Sequence, residues 1–80
     1  MRIKIKDVND ALKFSRIAEK FNEDIDVTDG RYIVDGKSHM GLLMIYATGN
    51  PLEAKIITED MERWFAFRNA IVDFLMWLNN

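Results

Sequence analysis

The arrangement of apolar and polar residues along the chain follows two periods, one of two residues and one of about 3.6 residues. Ranges 2–6, 24–28 and 52–58 carry an apolar side chain at every second position, which is typical of strands that bury one face. Range 7–21 places its apolar residues on one face of a helix, and aspartates stand near its N-terminus, where a helix favours negative charge. The pattern therefore predicts three strands and an amphipathic helix.

A hairpin is predicted in the middle of the chain. Asp29-Gly30 is a dipeptide typical of tight two-residue turns, and it follows the second predicted strand. The returning strand is expected over residues 31–34, with Tyr32 and Val34 on one face. Asp35-Gly36 then predicts a second turn.

Two further helices are predicted after this hairpin. Ser38 can cap the first of them, which ends near Ala47 because a glycine and a proline follow in the next loop. The apolar stripe of this short helix is assigned to Met40, Leu43, Met44 and Ala47. The last helix is capped by Thr58 or Asp60 and is expected to be long.

This C-terminal helix carries more large apolar side chains than one buried face can hold. Those that fall toward its flanks or its outer side are Phe65, Val72, Met76 and Trp77. Two interpretations stay open. The helix belongs to an enlarged local core with a few exposed aromatic residues, or it forms the surface through which two copies of the chain associate as a homodimer.

The order β-α-β-β-α-β-α predicts an α+β fold in a single domain over residues 1–80. We expect an open-faced β-sandwich, in which a four-stranded, mainly antiparallel sheet carries the three helices on one face. The other face of the sheet would be solvated, because charged residues occupy its positions. These residues are Arg2, Lys4, Lys6, Asp24, Asp26, Arg31, Glu53 and Lys55.

Composition narrows the function classes. Hydrophobic residues make up 49% of the 80 residues, which is enough for a core and argues against disorder. The chain has no cysteine, and its net charge of −2 comes from mixed charges without a basic stripe, so neither a disulfide nor nucleic-acid binding is expected. The first residues lack the apolar run of a signal peptide, and no apolar stretch is long enough for a bilayer, so we expect a cytoplasmic protein without a membrane partner.

No metal or cofactor is expected from the acidic residues. Glu23, Asp24, Asp26 and Asp29 form a cluster in the sequence, but they lack the spacing and the final glutamate of a calcium-binding loop. A solvated strand and turn account for this cluster more simply.

Residues 21–43 carry the most specific motif of the chain. The run Phe21-Asn22-Glu23-Asp24-Ile25-Asp26-Val27, the hairpin and the run Gly36-Lys37-Ser38-His39-Met40-Gly41, together with the order of elements, resemble the HPr family. HPr is the histidine-containing phosphocarrier protein of the bacterial sugar phosphotransferase system. The resemblance implies the HPr-like fold and a role in that system, in which HPr receives a phosphoryl group on a histidine at the start of its first helix. It also implies that Ser38 is a site of regulatory phosphorylation by a kinase.

The chain departs from the family where the active histidine is expected. The join between the first strand and the first helix has no histidine, arginine or proline, and the catalytic position falls near Asp7. We therefore expect no enzymatic or ordinary phosphocarrier activity. The resemblance instead implies a regulatory or adaptor module that binds phosphotransferase-system enzymes or a regulator through His39, Leu42 and Leu43.

Two alternatives stay open beside the adaptor. The first is a phosphoryl carrier with a displaced acceptor, either His39 or Asp7, because an imidazole titrates near neutral pH and an aspartate can form an acyl phosphate. The second is a structural homodimer with no transfer chemistry. Ser38 is expected to cap its helix under each of these hypotheses.

Overall fold

The computed structural model describes residues 1–76, which form an antiparallel sheet with three helices packed on one of its faces. The elements in chain order are β1 (Arg2–Ile3), α1 (Val8–Ala18), β2 (Ile25–Thr28), β3 (Ile33–Asp35), α2 (His39–Tyr46), β4 (Leu52–Ile56) and α3 (Met61–Ala70), followed by a 3₁₀ turn (Val72–Phe74). The strands lie in the order β1-β4-β2-β3, and each neighbouring pair is antiparallel. The predicted α+β fold with its βαββαβα order is therefore confirmed.

Alternation along β4 shows how the sheet divides its two faces. Leu52, Ala54 and Ile56 are buried, whereas Glu53 and Lys55 are exposed. On the exposed face, Arg2 lies opposite Glu53 and Asp26 lies opposite Lys55. Cross-strand pairs of opposite charge stabilise a sheet modestly, and they explain why the outer face tolerates so many charged residues.

Aromatic rings connect α1 to the C-terminal part of the core. The ring of Phe14 meets the rings of Phe67 and Phe74 edge-on, with centroids 6.3 and 5.4 Å apart. Phe21 contacts Phe67 in the same way at 5.4 Å. Each such pair contributes about 0.5–1.5 kcal/mol beyond the burial of its area. These contacts hold α1 and the C-terminal elements together over the sheet.

Each helix begins at a residue that caps it. The Asp7 carboxylate accepts the N–H of Asp10 at 2.8 Å, and the Asp60 carboxylate accepts the N–H of Glu62 at 2.9 Å. Ser38 Oγ caps α2 in the same way. These bonds satisfy amides that have no partner within the helix, so the predicted starts of all three helices agree with the structure.

The predicted two-residue hairpin turn is wrong. Thr28 pairs with Ile33, so the loop between β2 and β3 contains four residues, and β3 begins two positions later than expected. The Asp29 carboxylate explains the longer loop, because Oδ1 accepts the N–H groups of Arg31 and Tyr32, each at 2.9 Å. An aspartate that bonds the backbone two and three residues ahead stabilises a local turn on its own.

The apolar stripe predicted for α2 is wrong at three of its four residues, since only Leu43 packs against the core. Leu42 and Ile45 face the core, whereas Met40, Met44 and Ala47 are exposed. Almost every residue of this helix is apolar, so the periodicity of the sequence could not select the buried face. In the observed orientation Gly41 packs closely against β3, since an added Cβ there would lie 3.2 Å from the Cβ of Val34.

The last helix is shorter than predicted. After α3 ends at Ala70, the 3₁₀ turn leads into an extended segment in which Leu75 pairs with Ile3. The carbonyl of Phe74 accepts the N–H of Lys4 at 2.8 Å, and the N–H of Met76 donates to the carbonyl of Arg2 at 3.0 Å. The backbone groups on the outer side of β1 are thus hydrogen-bonded to the segment after α3. A continued helix could not supply these partners, because its own backbone groups bond within the helix.

Candidate partner-binding surface on α2

The turn between β3 and α2 is held by three hydrogen bonds from backbone N–H groups, two to carbonyls and one to a carboxylate. The N–H of Gly36 donates to the carbonyl of Ile25 at 2.7 Å, and the N–H of Ser38 donates to the carbonyl of Asp35 at 2.9 Å. The N–H of Lys37 donates to Oδ1 of Asp35, also at 2.9 Å. A Cβ on Gly36 would lie 2.7 Å from Cγ2 of Ile25, so this close approach admits only glycine without a shift.

Ser38 is half-buried at the start of α2. Its Oγ accepts the N–H of Gly41 at 3.0 Å, and a Cβ on Gly41 would lie 3.3 Å from that same oxygen. In the motif Gly36-Lys37-Ser38-His39-Met40-Gly41, the two glycines thus have packing roles and Ser38 has a capping role. The motif positions the start of α2 against β2 and β3, whether or not Ser38 is modified.

The structure separates the predicted partner-binding residues. His39 is exposed in the first turn of α2, and Leu43 is half-buried against the core. Leu42 is fully buried, so its assignment to a binding surface is wrong. The physical reason is the rotation of α2 described above, which turns Leu42 toward the core and turns the methionines outward.

Two methionines that were expected in the buried stripe instead lie on the outer side of α2. Met40 is 68% exposed and Met44 is 65% exposed, one helical turn apart. We call the outward side formed by His39, Met40, Leu43 and Met44 the α2 surface. Only their unbranched, adaptable side chains, which are common in binding surfaces, could have identified these methionines from sequence.

An apolar groove runs between α2 and β3. It encloses about 370 Å³ and is lined by Tyr32, Ile33, Val34, Met44, Ile45 and Thr48. Tyr32 is 64% exposed and Ile33 is 69% exposed. Neither residue was predicted to belong to a site. Their exposure depends on the position of β3 at the edge of the sheet, which the sequence pattern does not report.

The corner at the start of α1 contains two carboxylates that bind backbone amides. Asp7 caps the helix, and Oδ2 of Asp10 accepts the N–H of Lys6 at 3.0 Å. Within residues 1–76 no group of three or more His, Cys, Asp or Glu side chains could hold a metal ion, and the His39 imidazole has no hydrogen-bond partner there. The corner therefore stabilises the helix start, and the described residues give neither candidate acceptor an orienting side chain.

Two charged clusters lie away from the α2 surface. Arg63 binds Glu23 with two hydrogen bonds of 2.8 and 3.1 Å, which lower the pKa of Glu23 and raise the pKa of Arg63. Backbone N–H groups of Tyr32 and Arg31, with the amide of Asn50, lower the pKa of Asp29 to about 2. Both clusters tie loops to neighbouring elements, so we assign them structural roles.

The residues predicted to form a homodimer surface are partly exposed. Phe65 is 49% exposed and its ring packs edge-on against Trp64, with centroids 4.9 Å apart. Val72 and Met76 are also exposed, on the 3₁₀ turn and on the segment that follows it. Trp77 lies outside the described residues. We call the set formed by Phe65, Val72 and Met76 the α3 surface. Its role in a homodimer stays a prediction.

No family model, curated protein or solved structure matches this chain. The resemblance to HPr therefore stays a prediction that depends on the motif and on the order of elements. Across residues 1–76, no helix is both long enough and apolar enough to cross a membrane.

Proposed function

We propose that this protein is an HPr-like regulatory or adaptor module that binds a protein partner through the α2 surface. The observation that carries this proposal is the exposure of Met40 and Met44 on the side of α2 that faces away from the core. Large apolar side chains that cluster on the surface of a small domain favour a binding role. Their partner would be an enzyme or a regulator of the phosphotransferase system, as the resemblance implies.

The same proposal excludes ordinary phosphoryl transfer. By the resemblance, the position of the active histidine falls near Asp7, whose carboxylate accepts the N–H of Asp10. A phosphoryl group on Asp7 would weaken this cap and bring a dianion close to the carboxylate of Asp10. Both effects oppose a carrier that must accept and release phosphate repeatedly.

Phosphorylation of Ser38 would act as a switch on the α2 surface. Its oxygen lies at the N-terminus of α2, where free amides and the helix dipole favour a negative charge. The added dianion would stand beside His39 and Met40, so it would change the charge of the surface while it preserves an acceptor for the helix cap. This change can select between two partners that differ in charge.

Isothermal titration calorimetry tests this binding. The serine kinase that acts on HPr proteins is titrated into the purified chain, and the dissociation constant is measured. Met40→Lys is expected to weaken binding roughly tenfold or more, because it introduces a charge into an apolar contact. Met61→Lys is the matched control, since Met61 is also a largely exposed methionine but lies on α3. Equal affinity of the Met40→Lys variant and the wild type would reject the α2 surface as the binding site.

Modification is tested with the same kinase and ATP, followed by mass spectrometry. We expect one phosphoryl group on the wild type and none on Ser38→Asn, which keeps a capping oxygen and therefore the helix start. An unlabelled wild type would remove the switch from the proposal.

Incubation with phosphoenolpyruvate and the first phosphotransferase enzyme tests the carrier alternative. We expect no label. A label that His39→Gln or Asp7→Asn abolishes would support a displaced acceptor and reject the adaptor as the sole role. Asp7→Asn again keeps the cap.

A further inference from the structure

The outer edge of β3 has backbone groups without partners. The N–H of Gly36 donates to the carbonyl of Ile25 in β2. Two residues before Gly36 in the chain, Val34 lies opposite Val27. Hydrogen-bonded and non-hydrogen-bonded pairs alternate in an antiparallel ladder, so the N–H and C=O of Ile33 point away from β2. Among residues 1–76 nothing covers this side of the strand.

This edge is self-complementary in charge. When two copies of β3 are placed antiparallel about a two-fold axis at Ile33, Arg31 of each copy lies opposite Asp35 of the other. Both side chains are exposed in the single chain, and no ion pair engages Arg31 within residues 1–76. The two Ile33 residues would exchange their N–H and C=O groups as a hydrogen-bonded pair.

The same arrangement relieves a repulsion that the single chain contains. Asp26 and Asp35 lie directly opposite each other in β2 and β3, with Lys55 on the far side of Asp26. Like charges in such positions destabilise a sheet. Arg31 of a second copy would approach Asp35 from its open side. The row across the strands would then run Lys55, Asp26, Asp35 and Arg31 of the second copy, with a positive charge at each end.

The groove beside β3 provides the contact on the other face of the sheet. Tyr32 of the second copy would lie opposite Val34, which lines the groove together with Met44 and Ile45. The ring would cover apolar surface that is open in the single chain. The backbone edge, the charged row and the groove thus accept one and the same occupant.

We propose that the β3 edge is a homodimer interface in which two copies of β3 pair antiparallel and join the two four-stranded sheets into one. The interface differs from the α3 surface. It shares Met44 with the α2 surface, and it does not include Ser38, His39 or Met40. It is independent of the proposed function, because it requires neither a kinase nor a phosphotransferase enzyme.

Sedimentation equilibrium of the full chain over a range of concentrations tests the interface. We expect a reversible dimer, and Ile33→Lys should raise its dissociation constant roughly tenfold or more, because lysine on an edge strand opposes pairing. Phe65→Lys is the matched control on the α3 surface and should leave association unchanged. A wild type that stays monomeric, or association lost in Phe65→Lys and retained in Ile33→Lys, would overturn the proposal.

Charge exchange tests the register. Arg31→Glu should weaken the dimer, and adding Asp35→Lys to the same chain should restore it, because the opposite charges then meet again across the axis. A double variant that stays as weak as Arg31→Glu would reject this register.

Amide hydrogen exchange of the wild type gives a readout that needs no variant. Exchange at Ile33 should slow as the protein concentration rises, whereas exchange at Val34 should be slow throughout. Exchange at Ile33 that is equally fast at every concentration would contradict the interface even if a variant failed to fold.

Discussion

The two edges of the sheet end in different ways. Along β1, the backbone groups of Arg2 and Lys4 bind the segment that follows α3, with hydrogen bonds of 3.0 and 2.8 Å. Along β3, Ile33 is 69% exposed and its outward backbone groups have no partner within residues 1–76. One edge is therefore closed by the chain itself, and the other is open to a partner.

The difference between these edges follows the order of elements. The chain turns back along β1 after its last helix, whereas it leaves β3 directly for α2 through Gly36 and Ser38. The closed side also holds the aromatic contacts between Phe14 and Phe74. The open side carries the exposed methionines of α2. The aromatic core contacts and the proposed binding surfaces thus lie on opposite sides of one small sheet.

The largest expected effect comes from opening the closed edge. Phe74→Ala removes a buried ring that contacts Phe14, at the residue whose backbone carbonyl accepts the N–H of Lys4. Because the ring is lost from the core, we expect a loss of about 3–5 kcal/mol of the free energy of unfolding. Chemical denaturation measures this loss, and faster amide exchange at Lys4 would locate it. Phe65→Ala, at an exposed ring, should change stability by about 0.5 kcal/mol or less. An unchanged unfolding midpoint for Phe74→Ala would refute the structural role of the closed edge.

A smaller effect is expected where the open edge ends. Gly36→Ala places a Cβ 2.7 Å from Cγ2 of Ile25, which is too close without a backbone shift. We expect a destabilisation of about 1–3 kcal/mol, as for overpacking in a core. Thermal unfolding measures it, with Lys37→Ala as the neighbouring control, because only the backbone N–H of Lys37 takes part in the turn. A stable Gly36→Ala variant would show that the strand can move away from β2.

The smallest effect is a pH dependence at the loop before β3. The pKa of Asp29 is lowered from 3.8 to about 2 in the folded chain, so the unfolded chain binds the proton first as the pH falls. The stabilisation is complete above about pH 4 and is lost as the pH falls through 2. Asp29→Asn keeps the turn acceptor but does not titrate, so its stability should vary less between pH 4 and pH 2. Identical pH profiles of variant and wild type would contradict this role.

Residues with strong local chemistry were predictable from sequence. Ser38 caps α2 as expected, and Asp60, one of the two predicted candidates, caps α3, because a side-chain oxygen next to a helical pattern acts within a few residues. The alternation of Leu52, Ala54 and Ile56 identified β4 in the same way, since a strand with one buried face repeats every two residues.

The candidate site was less predictable. Leu42 was assigned to the binding surface, and Met40 and Met44 were assigned to the core, although the structure reverses these positions. The error has a physical cause: α2 is apolar on all sides, so its sequence contains no signal for the buried face. The buried face becomes evident only in the packing of the folded chain, in which Gly41 lies close to Val34.

Local interactions along the chain thus specify the helices, the strands and most of their starting points. Strand order, the rotation of α2, the closure of the β1 edge and the opening of the β3 edge come from contacts between residues far apart in the chain. They depend on which elements meet once the core is packed. Sequence patterns report the conformation and burial tendency of a segment, but they do not report its neighbours, and the neighbours determine which surfaces stay free to bind.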